Sequence, residues 1–376
     1  MKLYMRKEGC CGCGACADVC PKDAVRMARD REGFLYPKVS RLRCVSCGRC
    51  QQVCPLPRPE PEALEHLYFG ARAKEEGLRL GSSSGGMFPV LARHVFAQGG
   101  VVYGAAYDEH MAVVHREARN EEELEGLKRT KYVQSRLDGV YRQVEARLKE
   151  GRQVLFCGMP CQVQALRRFL GRPYPALLAV DLVCYGVPSP GVWERYVRHL
   201  QKVHGGRLTG FSFRDKRNRD SGHTRAYTID GTEYAGPLNS DPYCQLMFRN
   251  YTLRPACHAC PYCAPERDSD ITIGDFWGVE KVRPEMDDGM GISLVILHTA
   301  RGRAAWEAVR DRLEYFQCRR EETLQPRLTG PTPASEGRAV FMKYYRRLSF
   351  PRLLQEIDGE KFLEEVQKSQ REDPHG

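Results

Sequence analysis

Cysteine dominates the chemistry available to this chain. The run Cys10-x2-Cys13-x2-Cys16-x3-Cys20-Pro21 recurs as Cys44-x2-Cys47-x2-Cys50-x3-Cys54-Pro55. All five positions shift by the same 34 residues, so the segment is an internal duplication. Three thiolates spaced in this way can wrap three iron corners of a cubane on one tight loop. The fourth, followed by proline, points away from its own loop and reaches the other cluster. One [4Fe–4S] cluster then takes Cys10, Cys13, Cys16 and Cys54, and a second takes Cys44, Cys47, Cys50 and Cys20. Glycines at 12, 14 and 48 let the backbone close around such a group. Four-thiolate zinc is the competing chemistry, but it requires neither the third CxxC spacing nor the trailing Cys-Pro. Cys11 stands outside the register and reads as a bystander.

The repeated run resembles the dicluster ferredoxins over roughly residues 1–58. A second set of cysteines follows much later: Cys157-Gly-Met-Pro-Cys161-Gln, Asp181-Leu-Val-Cys184, Cys257-x2-Cys260-x2-Cys263, and the isolated Cys244 and Cys318. Cys161 and Cys184 fall where an expected strand meets the next element, the usual place for ligands in open α/β sheets. From the residues alone, a third cluster stands level with a zinc site or buried thiols.

Phosphate chemistry is suggested less strongly. Residues 82–86 (SSSGG) precede a helix and can offer N–H groups and hydroxyls to a diphosphate. A plain N-cap and tight turn is the commoner explanation of such a loop. The basic stretch 128–131 (KRTK) can neutralise phosphates, or simply be a solvated face. Residues 214–219 (RDKRNR) form a denser basic loop suited to an anionic substrate or an acidic electron-donor protein, with a solvated turn as the equal alternative. Trp277 reads as core packing.

These groups need a scaffold. A chain of 376 residues is long enough for two or three domains with a sizeable core. Hydrophobic content of 42% and charged content of 28% argue against wholesale disorder. Residues 56–62 (LPRPEPE) read as a semi-rigid linker. Beyond them the pattern predicts strands at 67–73, 101–106, 153–157 and 177–184, with helices at 87–98, 137–149 and 161–170. The run 67–106 reads as a βαβ-like unit. Shorter strands are expected at 208–214, 224–229 and 270–274, and the tail from residue 336 carries basic helical stretches ending at 362–370. The class is therefore α/β, α+β in parts, with a mixed sheet. No apolar run is long enough for a membrane span, and residues 1–8 lack the apolar core of an export signal. A cytoplasmic location is expected, where clustered thiols stay reduced and bind metal.

Five motifs in one order carry a wider resemblance. They are Ser84-Gly85-Gly86, Lys131-Tyr132-Val133-Gln134-Ser135, Gly158-Met159-Pro160-Cys161-Gln162, Asp181-Leu182-Val183-Cys184, and Arg267 with Asp270-Ile271-Thr272-Ile273-Gly274-Asp275-Phe276-Trp277-Gly278. Together they resemble the coenzyme F420 hydrogenase/dehydrogenase beta-subunit family from about residue 66 to 320. The resemblance implies a body in two parts, 66–150 with the flavin loop and 151–320 with a third [4Fe–4S] cluster, preceded by the dicluster module and followed by a helical tail, 321–376. It implies FAD bound through Ser83, Ser84, Gly85, Gly86, Lys131 and Tyr132, and cluster ligands Cys161, Cys184, Cys257 and Cys260. Relatives show Cys-His-Gly where this chain has Cys184-Tyr185-Gly186, so no role passes to that position. Cys263 is extra, and can replace one of the four.

The implied activity is electron transfer between three [4Fe–4S] clusters and, through FAD, a two-electron carrier or substrate such as coenzyme F420. No catalytic residue is assigned. A reductase of a sugar or tetrapyrrole precursor, and a non-catalytic subunit of a larger redox complex, are the alternatives. A redox partner protein or catalytic subunit is expected, and a nucleic-acid partner is not, since no helix-turn-helix or RNP motif is present. The formal charge of +10 fits the cofactors. Three clusters bring about −6 and a flavin diphosphate about −2, leaving about +2.

Overall fold

The computed structural model describes residues 3–58, 65–217 and 223–357, with Gly359 and Glu364. Near the start, β1 (Val25–Arg29) and β2 (Leu35–Val39) pair as an antiparallel hairpin between the two cysteine runs. β3 (Leu67–Ala73), β4 (Val101–Tyr107), β5 (Val113–Ala118), β6 (Val154–Gly158) and β7 (Leu177–Leu182) enter the main sheet. A separate antiparallel meander follows: β8 (Leu208–Asp215), β9 (Thr224–Ile229) and β10 (Thr232–Pro237). The chain then returns to the main sheet with β11 (Ile271–Asp275), β12 (Ser293–Leu297) and β13 (Leu313–Cys318).

The eight-stranded order is β13-β3-β12-β11-β7-β6-β4-β5. Pairs β4–β6, β6–β7 and β7–β11 are parallel, and the outer pairs are antiparallel, so the sheet is mixed as expected. β6 and β12 bury every side chain, as strands covered on both faces must. Alternation then sends Leu155 and Cys157 to one face with the helix Met87–Ala97, and Val154 and Phe156 to the other with the helices Val140–Lys149 and Pro160–Leu170. The βαβ-like unit expected at 67–106 is corrected in one respect. β3 and β4 are not neighbours, because β12, β11, β7 and β6 stand between them. β3 instead pairs with β12 and β13, more than two hundred residues later in the chain.

One long helix went unanticipated, Pro190–His204. Its signals are ordinary: Ser189 accepts from the N–H of Gly191 and Val192, Pro190 opens the first turn, and Gly205 closes it in the left-handed region. It carries Trp193 and Tyr196 into a cluster with Phe34 and Tyr36 from the hairpin side of the cysteine module. Cys13, Ala15 and Val53 pack on the face holding Val140 and Val163. The module is thus built into the body. Of the expected linker, residues 59–62 lie outside the described residues, while Arg58 donates to the carbonyls of Pro261 and Glu266. The tail forms the helices Arg338–Tyr344 and Phe350–Ile357, and the stretch expected at 362–370 lies, Glu364 apart, outside the described residues.

Candidate functional site

The duplication is visible in the backbone. Gly14 and Gly48 both take the left-handed conformation and cap four-residue helices, Ala15–Asp18 and Arg49–Gln52. Each places a cysteine, Cys16 and Cys50, inside or beside that turn. One open cleft, about 430 Å³, is lined by Cys20, Cys44, Cys47 and Cys50. The trailing cysteine of the first copy therefore lies with the three of the second, as the crossed ligand scheme requires. Around the reciprocal set, burial pushes Cys16 upward, with the Cys10, Cys54, Cys50 and Cys11 thiols adding to it. Burial likewise lifts Cys10 to about 11, against the pull of Arg254.

Arg254 is fully buried and fastens the first loop to the body. Its Nε donates to Cys10 O at 2.7 Å, Nη1 to Gln134 Oε1 at 2.9 Å, and Nη2 to Leu35 O at 3.0 Å. Gln134 in turn donates to Cys11 O at 2.9 Å. Gly12 is required there, since a Cβ would stand 2.5 Å from Arg254 Nη1. Tyr141 donates to Cys13 O, Arg168 to Cys54 O and Tyr262 to Pro55 O.

The second set of thiols converges in the body. A cleft of about 580 Å³ is lined by Cys161, Cys184, Cys257, Cys260 and Cys263, with Arg267 at its edge. Cys161 sits in the first turn of Pro160–Leu170, Cys184 just beyond β7, and Cys257 in the short helix Pro255–Ala259. Arg267 holds these together: it pairs with Asp181 at 3.1 Å and donates to Ala264 O and Leu182 O. Burial pushes Cys184 up to about 12. The adjacent Cys263 thiol draws Cys260 down to about 7. A soft, wholly thiol donor set on two clefts fits iron–sulfur chemistry. Among the described residues, no three His, Cys, Asp or Glu side chains converge tightly enough to grip a single metal ion.

Cys11 needs correction. It lines the body cleft beside Cys161, and the Cys13 and Cys161 thiols pull its own thiol down. Trp277 also departs from expectation, being 58% exposed. Its backbone, not its ring, is engaged, with the N–H donating to Gln325. Cys157, Cys244 and Cys318 are buried within the folded body.

The small-residue loop is tied on all sides. Ser82 donates to Leu78 O, Ser84 to Ile292 O, and Ser83 accepts from the Thr130 N–H. Gly86 caps the helix Met87–Ala97 in the left-handed region, and Gly85 lies against Ala71 and Ser293. Lys131 donates to Lys128 O and Arg129 O, and Tyr132 packs on Phe213 at 5.0 Å. The basic stretch from residue 214 is no free loop over its described part. Arg214 and Asp215 end β8, Arg214 pairs with Asp275 and reaches the Tyr132 hydroxyl, and Lys216 donates to Arg79 O and Ser84 O. Residues 218–222 lie outside the described set. Arg79, Arg214 and Lys216 were missed as neighbours of the loop, because only folding brings positions 79, 84 and 216 together. Desolvation holds both Lys131 and Lys216 down at about 7, with Arg116 and Arg129 adding to it at Lys131, and Arg214 and Arg79 at Lys216.

Family comparison agrees with this layout. Residues 9–56 match the 4Fe-4S dicluster domain, and residues 151–320 match the C terminus of the coenzyme F420 hydrogenase/dehydrogenase beta subunit. Over the second of these segments the chain is similar to this beta-subunit family, and it is a beta-subunit-like iron–sulfur protein of the electron-transfer type. A curated relative, an F(420)H(2) dehydrogenase subunit of Methanosarcina mazei, is 24% identical over 331 residues, covering 83% of this chain and 86% of its own. A chain of the F420-reducing [NiFe] hydrogenase complex from Methanosarcina barkeri aligns at 18% identity and a TM-score of 0.43, covering 84% of this chain and 94% of that one.

Proposed function

We propose that the chain is an iron–sulfur flavoprotein that passes electrons between [4Fe–4S] clusters and, through FAD, a two-electron carrier of the coenzyme F420 type. The observation that carries this is the body cleft, where Cys161, Cys184, Cys257 and Cys260 converge within the family-matched segment and beside the dicluster module. Cys10, Cys13, Cys16 and Cys54 would hold one cluster, Cys20, Cys44, Cys47 and Cys50 the next, and the body thiols a third. The twelve thiols must stay reduced to bind iron, which supports a cytoplasmic location.

We assign FAD to the second part of the site, between segments 66–150 and 151–320. The support is a cationic group at the serine loop: Lys216 donates to Ser84 O and Arg79 O, and Arg79 and Arg214, though paired with Asp288 and Asp275, each keep a buried Nε without a hydrogen-bond partner among the described residues. Ser83, Ser84, Gly85 and Gly86 would contact the diphosphate, with Lys131 neutralising it and Tyr132 bordering the ring. Bound flavin supplies the exchange between hydride and single-electron chemistry. The protein orients it and screens it from water. The Methanosarcina mazei relative is a dehydrogenase subunit, which also supports work within a larger complex with a partner protein.

Anaerobic purification followed by iron, sulfide and flavin analysis tests the cofactors. Reduced coenzyme F420 should then bleach the bound flavin. Colourless protein carrying zinc alone ends this assignment, and cluster-loaded, flavin-loaded protein that ignores the carrier points to a dedicated substrate reductase.

A further inference from the structure

The body cleft offers more thiols than one cubane can use. Six cysteines line it, counting Cys11 from the first module loop and Cys263 from the last. A [4Fe–4S] cluster takes four. Cys11 and Cys161 line the same cleft, so either thiol is placed to serve it. Cys11 is also held from behind. Gln134 fixes its carbonyl and Arg254 fixes that of Cys10, while Gly12 leaves room for the guanidinium that any Cβ would strike. A loop anchored at two successive residues holds Cys11 at the body cleft.

We infer that Cys11 is an exchangeable ligand of the body cluster, able to take the place of Cys161. In the exchange the Cys11 thiol gives its proton to solvent and forms an Fe–S bond, while the Fe–Sγ bond of Cys161 breaks and that sulfur takes up a proton. No electron is gained or lost. The consequence is a junction between modules. Cys13, two residues on from Cys11, belongs to the ligand set proposed for the first ferredoxin-type cluster. With Cys11 bound, the two clusters would hang from cysteines separated by Gly12 alone, giving electrons a short covalent path from module to body.

The proposal rests on the body cleft holding a [4Fe–4S] cluster, and iron content separates the two claims. Wild-type protein purified without oxygen should carry about twelve irons per chain, and about twelve in Cys11→Ala/Cys161→Ala would make Cys263 the stand-in and overturn the role of Cys11. Cys161→Ala should keep about twelve irons with a shifted low-temperature EPR spectrum, and Cys11→Ala/Cys161→Ala should fall to about eight. Cys161→Val gives the same comparison with a non-ligating side chain of similar bulk if the alanine variant does not accumulate. Wild-type protein with about eight irons removes the body cluster and this proposal with it. About twelve in wild type but about eight in both Cys161 single variants overturns the role of Cys11 alone.

Discussion

Arg254 shows how one side chain couples two modules. It is buried without a carboxylate partner and spends its donors on the carbonyls of Cys10 and Leu35 and on Gln134. Hydrogen bonds from a charged group contribute about 1.5–3 kcal/mol, so Arg254→Met should lower stability by about 3 kcal/mol. An unfolding midpoint equal to wild type would refute that. Lys131 and Lys216 give a pH prediction at the same scale. Both titrate at about 7, so they are charged below that pH and neutral above it. Lys216 faces Arg79, Arg214, Asp275 and Asp288, and Lys131 faces Arg116, Arg129 and Cys157. A bound diphosphate favours their charged forms, so flavin should dissociate more readily as pH rises through 7. Fluorescence of released flavin measures this, and Lys131→Met/Lys216→Met should flatten the profile.

At the scale of elements, the serine loop depends on close contact between strands and turn. Gly85 packs so tightly that an added Cβ would collide with Ala71 O on β3 and stand 2.7 Å from Ser293 N on β12. Gly85→Ala should cost about 1–3 kcal/mol and displace the loop. The expected result is a lowered unfolding midpoint together with flavin loss, while the iron of the ferredoxin-type module is retained. Retained flavin at wild-type stoichiometry would contradict this. The first-turn placement of Cys161 follows similar local logic. Pro160 opens the helix, and Gln162 Oε1 accepts from the Met159 N–H, so the turn that carries the thiol is held at both ends.

Across the whole molecule, the clefts line up as a route inward. The cleft of Cys20, Cys44, Cys47 and Cys50 lies at the surface, with Cys47 exposed, whereas the body cleft touches the first loop through Cys11. Exposed Lys22 and Arg49 line the outer cleft, and Lys38, Arg41 and Arg43 are exposed in the segments that lead into it, with Leu42 fully exposed and Val45 58% exposed. An acidic carrier protein is suited to this face. Its electron exchange should slow as ionic strength rises, and Arg41→Glu/Arg43→Glu/Arg49→Glu should remove most of the salt dependence. A rate indifferent to both salt and these substitutions would exclude docking there.

Metal chemistry was the most legible property, because four thiolates on a short loop must follow a fixed spacing whatever surrounds them. Strands such as 67–73 and 177–182 were legible for a related reason, since burial on both faces leaves a continuous apolar run. Which strands would be neighbours was not legible. β3 belongs beside β12 and β13, and that pairing joins residues far apart in sequence. The same distance hid Arg79, Arg214 and Lys216 from the serine loop, and made Cys11 look idle. Sequence alone determined which residues have the chemistry to hold iron. Tertiary structure alone decided that Cys11 shares a cleft with Cys161, because a thiol outside the local register gains such neighbours only when two distant loops are packed together.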